Sequence, residues 1–322
     1  KYYVKTIKVR KNNIELLKRR AALLQELGEE GKSLDAYLQI VKLTPMNKEN
    51  KEEYAKQLEK NNKFKEAHEV IGALIKQYAD DQELYISSAK ILNKLKNVKA
   101  CETALNTYIA KDKESEYSFI RAAALLRAFD LQKNASAVYD RLVKKYPESR
   151  EGKLLRALNL YQTAKKEEAL KEYRELGKTK NISELQRLVV TLKTLKEPQI
   201  SFDILHAQQA NFKNSFKYSE LLYNTAANIK NKEVLFSAAR QMLTTAESAS
   251  ELNKACANLI YTSKRQKKQE ALFEELAAKK NKSINEIILL TEIDFSLGEI
   301  DKALADLDKE LLKGQHVVLL NE

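Results

Sequence analysis

The chain has no tryptophan, three prolines and seven glycines in 322 residues. So few chain breakers leave little material for the many tight turns of an all-β fold, and they favour helix. The surplus of Leu, Ala, Lys and Glu points the same way. Cysteine is scarce: Cys101 and Cys256 stand far apart in sequence, too few for a disulfide framework, and read as free buried thiols. The three histidines, His68, His206 and His316, show no ligand spacing, so no metal site is expected. No apolar run approaches the ~18 residues of a membrane-spanning helix. Negative charge is in deficit, with 45 Asp and Glu against 57 Lys and Arg, a net +12. That balance suits an acidic partner, whether protein, nucleic acid or an anionic membrane surface. It equally suits a lysine-rich solubilising surface, because the charges are dispersed. No compact arginine stripe with interleaved aromatics is present, which disfavours nucleic acid. The sequence starts at Lys1 rather than Met. A removed signal peptide or anchor upstream is therefore expected to decide between cytoplasm and cell envelope, with a lean to an exported or membrane-tethered setting.

What is present in abundance is periodicity. Ala21, Ala55, Ala89, Ala123 and Ala157 follow one another at intervals of 34 residues, as do Leu24, Leu58, Leu92, Leu126 and Leu160. A third column, Ser33, Ala67, Cys101, Ala135 and Ala169, is small throughout, and a fourth, Tyr37, Ile71, Leu105, Tyr139 and Tyr173, is bulky. Each period holds two short runs with helical apolar spacing, split by a few turn residues. Two antiparallel helices bury one face between them and need the next pair to bury the other, so the period predicts stacked helical hairpins. The small columns are expected where helices cross most closely, the bulky column between repeats.

Starts fall at Ile14, Lys48, Gln82, Glu116 and Arg150; the frame then slips by two residues near Gly177 and Asn181 and resumes at Ile182, Phe216, Ser250 and Ile284. This makes five well-matched repeats over 14–181 and four divergent ones over 182–317. In repeats seven and eight, Leu235 and Gln269 replace the expected small residue. Residues 1–13 are basic and read as an extended arm or a half-repeat, with Tyr3 in the aromatic column and Ile7 in the next apolar one. The tail, 318–322, closes the apolar HVVLLNE segment, which is expected to cover the final helix or to pair with something else.

The pattern resembles the tetratricopeptide repeat family, most completely in repeat four, through Phe119, Ala122, Ala123, Leu126, Ala135, Tyr139 and Pro147. It departs from it in lacking Trp and in placing Arg20 and Arg156 where Leu is usual. The resemblance implies an all-α, right-handed superhelical solenoid of about nine helix-turn-helix repeats, with first helices lining a concave face. Positions two, five, nine, twelve and thirteen of each repeat would then face a groove. Those positions supply Lys90, Asn93, Lys94, Arg127, Tyr161, Lys193, Asn224, Asn258 and Tyr261. Asn can bond an extended backbone through donor and acceptor, Lys and Arg attract carboxylates, and Tyr offers amphipathic contact area. The subfamily clamp for chaperone tails is absent, since Lys18 is followed by Ala22.

No catalytic residue emerges. Gly31-Lys32-Ser33 and Gly177-Lys178-Thr179 resemble the end of a phosphate loop, but Glu26 and Glu172 stand where the first glycine belongs. Glu29/Glu30 and Glu274/Glu275 lie in solvated runs. The expectation is a non-enzymatic scaffold that binds protein, with no cofactor and no small-molecule substrate. The alternatives are a self-assembling solenoid and a peripheral membrane or polyanion binder. Membrane association would need an upstream segment or a partner.

Overall fold

A computed structural model describes residues 13–312, and its secondary structure is helical throughout that range apart from turns. The N-terminal arm with Tyr3 and Ile7 and the HVVLLNE segment with His316 lie outside the described residues. The chain divides into two compact units, Lys1–Lys166 and Glu167–Glu322. The first unit contains α1 (Ile14–Glu26), α2 (Glu30–Leu43), α3 (Lys48–Lys60), α4 (Phe64–Gln77), α5 (Gln82–Lys94), α6 (Val98–Lys111), α7 (Glu116–Ala128), α8 (Gln132–Lys145) and α9 (Arg150–Gln162). The second begins within α10 (Lys166–Leu176) and continues with α11 (Ile182–Thr194), α12 (Pro198–Gln208), α13 (Phe216–Asn228) and α14 (Lys232–Thr245). It ends with α15 (Ala249–Arg265), α16 (Gln269–Ala278), α17 (Ile284–Ser296) and α18 (Ile300–Leu312). Within each unit consecutive helices pack on one another, from α1 to α9 and from α11 to α18.

The small columns sit where the sequence pattern puts them. Ala21, Ala55, Ala89, Ala123 and Ala157 are at most 1% exposed. Ser33, Ala67, Cys101, Ala135 and Ala169 are buried as well. In the first hairpin the Ser33 hydroxyl donates to the Ala21 carbonyl at 2.9 Å, so the two columns meet at a backbone-close crossing between α1 and α2. A larger side chain at either place would force the helices apart. The bulky column fills the next layer: Ile71, Leu105, Tyr139 and Tyr173 are buried, and Tyr37 is half-buried near the chain's start. One continuous apolar cluster runs through α5, α6, α7 and α8, from Ile86 to Leu142.

Each first helix starts from a side-chain cap. Asn13, Asn47, Asp81, Ser115, Ser149, Asn181, Ser215, Ser248 and Ser283 each accept a hydrogen bond from a backbone N–H of the helix that follows. These amides have no intrahelical partner, so each cap contributes about 1 kcal/mol. The hairpin turns carry a second regular feature. Gly28, Asn62, Lys96, Asp130 and Ala164, then Lys196 and Lys230, and finally Gly298, all have φ between +57° and +84°. A left-handed residue just past a helix end turns the chain back for the second helix.

Two irregularities explain the weaker half of the pattern. At the first, α10 stops at Leu176 and Gly177 packs against α12; a Cβ there would lie 2.5 Å from Ile204 Cγ2. Only glycine permits that approach. At the second, the positive-φ residue of repeat eight is Lys267, three residues later than the period predicts. Nothing at Ser263 or Lys264 stops the helix, so α15 runs 17 residues where its counterparts run 13. The extra turn delays α16. Gln269 therefore becomes the first residue of α16 instead of the crossing residue, and Leu272 takes the small seat, 2% exposed. In α14 the same seat holds Leu235, but Ala238 and Ala239 follow one turn later and let the helix settle, both buried. The α16 helix has no such small pair, spans ten residues and buries only Leu272 and Leu276.

Candidate protein-binding face

All nine residues assigned to the groove lie on first helices, and all are exposed or half-buried. Lys90, Asn93 and Lys94 share α5, where Lys90 and Lys94 are exposed. Their surroundings include an acid that the period alone does not single out. Burial pushes the Glu59 carboxyl on α3 up from its usual range, and Lys90, Lys56 and Lys94 act in the opposite direction. The cations of α5 thus stand beside a half-buried carboxyl whose charge they favour. Along the first unit Arg127 on α7 is half-buried. One Nη donates to Gln162 Oε1 on α9 at 3.0 Å, while its Nε is buried without a partner. The Arg127 guanidinium also lies beside the Tyr139 hydroxyl, which burial pushes up and the guanidinium pulls partly back. Arg127 therefore has one edge held by the fold. Tyr161 on α9 is half-buried, with the Lys166 ammonium 5.7 Å from its ring centroid.

In the second unit Lys193 on α11 and Asn224 on α13 are exposed and make no side-chain hydrogen bond among the described residues. Asn258 and Tyr261 lie one turn apart on α15. The Asn258 amide reaches Met242 Sδ at 3.8 Å. Tyr261 is 54% exposed, accepts from Arg265 Nη1 at 2.7 Å and lies under that guanidinium. A bridge absent from the sequence reading joins two neighbouring first helices, Lys254 on α15 to Glu220 on α13. Both occupy the fifth position of their repeats, so the spacing of 34 residues was the available signal. A comparable pair, Arg121 on α7 with Glu83 on α5, is bidentate and holds the Glu83 carboxyl below its usual range.

The remaining sequence candidates are occupied by structure. Gly31 and Lys32 lie inside α2, and the Ser33 hydroxyl is spent on Ala21. Lys178 pairs with Glu175, and the Thr179 hydroxyl donates to Glu184. His206 packs on Phe202, and His68 is half-buried on α4 with its Nδ1 unpartnered. Cys101 and Cys256 are free, buried thiols pushed up by burial to about 11 and about 12. Arg156, at a usual Leu position, bridges to Asp140 at 2.6 Å. Among the described residues no cluster of His, Cys, Asp and Glu could hold a metal ion, and no helix is long and apolar enough to cross a membrane.

The repeating helical hairpins and the regular 34-residue spacing of their small seats resemble the tetratricopeptide repeat. No protein-family model matches the chain, and neither does any curated protein. Solved structures with a similar arrangement include MamA (residues 41 to the end) from Desulfovibrio magneticus, 17% identical over 46% of this chain and 84% of that one, TM-score 0.35. The C-terminal part of a TPR repeat-containing protein from Cytophaga hutchinsonii is 17% identical, covering 74% of this chain and 99% of that one, TM-score 0.39. Yeast Tom70 is 14% identical over 83% of this chain and 58% of its own length, TM-score 0.35.

Proposed function

We propose that this chain is a non-enzymatic scaffold that binds segments of other proteins on the exposed faces of its first helices. The observation that carries this reading is the division of labour along each first helix. Its alanine and leucine columns are consumed by packing, while Lys90, Asn93 and Lys94 in one unit and Lys193, Asn224 and Tyr261 in the other stay accessible. Mixed Lys, Asn and Tyr on helices suit an extended segment carrying carboxylates, since the helical backbone already holds the donors at fixed spacing and need not be ordered on binding. Affinity capture from the source cell tests it. The partner retained by the unaltered chain should be depleted at least about tenfold by Lys90→Glu with Lys94→Glu, or by Asn224→Ala with Tyr261→Ala, in variants that keep their helical circular dichroism. A stoichiometric partner retained equally by both variants would place binding elsewhere on the chain.

A further inference from the structure

The last hairpin leaves open a seat that the other repeats keep covered. Position twenty-one of a repeat lies in its second helix, and in repeats one to seven it is buried or half-buried. Its cover is the first helix of the following repeat. Leu34 on α2, 6% exposed, clusters with Tyr54 and Ala55 of α3, and Asn159 on α9 donates to the Ser136 hydroxyl on α8 at 2.6 Å. In repeat nine the same position is Leu304 on α18, 54% exposed, and no further helix follows among the described residues. Ile300, one turn earlier, is 50% exposed and extends the apolar stripe. Acids flank it. Asp301 stands three residues before Leu304 and Asp308 four after, so both border the stripe, and neither makes an ion pair among the described residues. Lys302 of the same helix is held by Asp294 and Glu299. The whole hairpin, residues 284–312, has eight acidic residues against two lysines, in a chain whose net charge is +12.

We propose that this end is an assembly surface for a second copy of the chain, and that residues 1–13 of that copy dock on it. The segment KYYVKTIKVRKNN is the chemical counterpart of the stripe. It carries five cations, Lys1, Lys5, Lys8, Arg10 and Lys11, and no acid, with Tyr2, Tyr3, Val4, Ile7 and Val9 between them. Its apolar side chains cover Ile300 and Leu304 while its cations meet Asp301 and Asp308. Residues 313–322 compete for the same seat with their apolar HVVLL run, but they bring a single lysine and leave the acids of the hairpin unanswered. An anionic membrane or a nucleic acid meets like charge here. The two surfaces differ and each copy has one of each, so the contact is heterologous and copies join head to tail.

Sedimentation velocity of the full chain tests it. Assembly should grow with protein concentration at about 50 mM salt and dissociate by about 500 mM, where exposed charges are screened. Removing residues 1–11 should leave monomers. So should Asp301→Lys with Asp308→Lys, at exposed positions, in a variant with an unchanged melting curve. Mixed in equal amounts, the two variants should form a heterodimer and nothing larger, because the shortened chain still offers its acidic end and the reversed chain still offers its arm. A labelled peptide of residues 1–12 should bind the shortened chain and lose at least about tenfold in affinity on Leu304→Glu. A full chain that stays monomeric at low salt, assembly that survives either variant, or a mixture that stays monomeric would overturn the proposal. So would peptide binding by a chain that never exceeds the monomer mass, because the arm would then fold back within one copy. The groove variants of the preceding section leave both surfaces intact, so failure of one proposal is distinguishable from failure of the other.

Discussion

A single methyl group at Ala123 does what a larger side chain cannot. The residue is wholly buried in α7, one of five alanines that let helices cross at close range. Ala123→Leu should therefore destabilise the fold by about 1–3 kcal/mol through overpacking. Lys90→Ala, at an exposed position on α5, should stay within about 0.5 kcal/mol. Urea unfolding of the two variants side by side checks both, and equal losses would mean that the face assigned to Lys90 is packed. At this scale the sequence is most informative about what must be small. The packing columns follow from spacing alone, because a tight crossing tolerates few residue types. The half-buried Glu59 beside Lys90 and Lys94, and the hold of Gln162 on Arg127, are not legible in the same way. They depend on which rotamers meet across neighbouring repeats, and the period fixes only which residues are near.

At the scale of the element, the turns show the clearest local conflict. Lys96 and Ala164 hold φ values of +57° and +62°, where a Cβ meets the following carbonyl. Gly28 and Gly298 fill the corresponding turns without that clash. Replacing Lys96 or Ala164 by Gly should stabilise the chain by about 0.5–1 kcal/mol, the relief of strain exceeding the added freedom of the unfolded chain. The melting temperatures of the two variants measure it, and a fall in both would refute the strain argument. Helix starts from Ile14 to Phe216 were legible, since apolar periodicity marks them. The extra turn of α15 was not. Ser263, Lys264 and Arg265 are compatible with continuing or ending a helix, and only the tertiary setting decides that the turn falls at Lys267. The replacement of Gln269 by Leu272 at the small seat is a consequence of that one event.

For the whole molecule, the buried ionisable groups predict how stability depends on pH. Burial raises the Cys101 thiol to about 11 and the Cys256 thiol to about 12, and it raises the Tyr139 and Tyr218 hydroxyls as well. A group raised in the folded state favours folding fully below its unfolded value. That contribution is lost as pH climbs toward the folded value. Stability should accordingly hold to roughly pH 8 and fall through pH 9–11. Urea midpoints across that range should drop, and Cys101→Ala with Cys256→Ala should flatten part of the slope. A midpoint that stays level to pH 11 would contradict the burial of these groups. The same burial makes both thiols slow toward alkylating reagents until the chain unfolds.

The nine side-chain caps have a consequence for how such a chain can change its length. Each cap stands immediately ahead of the helix it starts, within the same stretch of sequence, so every hairpin carries its own ignition. A gene segment copied or excised in whole periods would join end to end without needing a new splice chemistry at the seam. Ancestry by tandem duplication, and later divergence of the copies, is then a matter of arithmetic in a single unit of length.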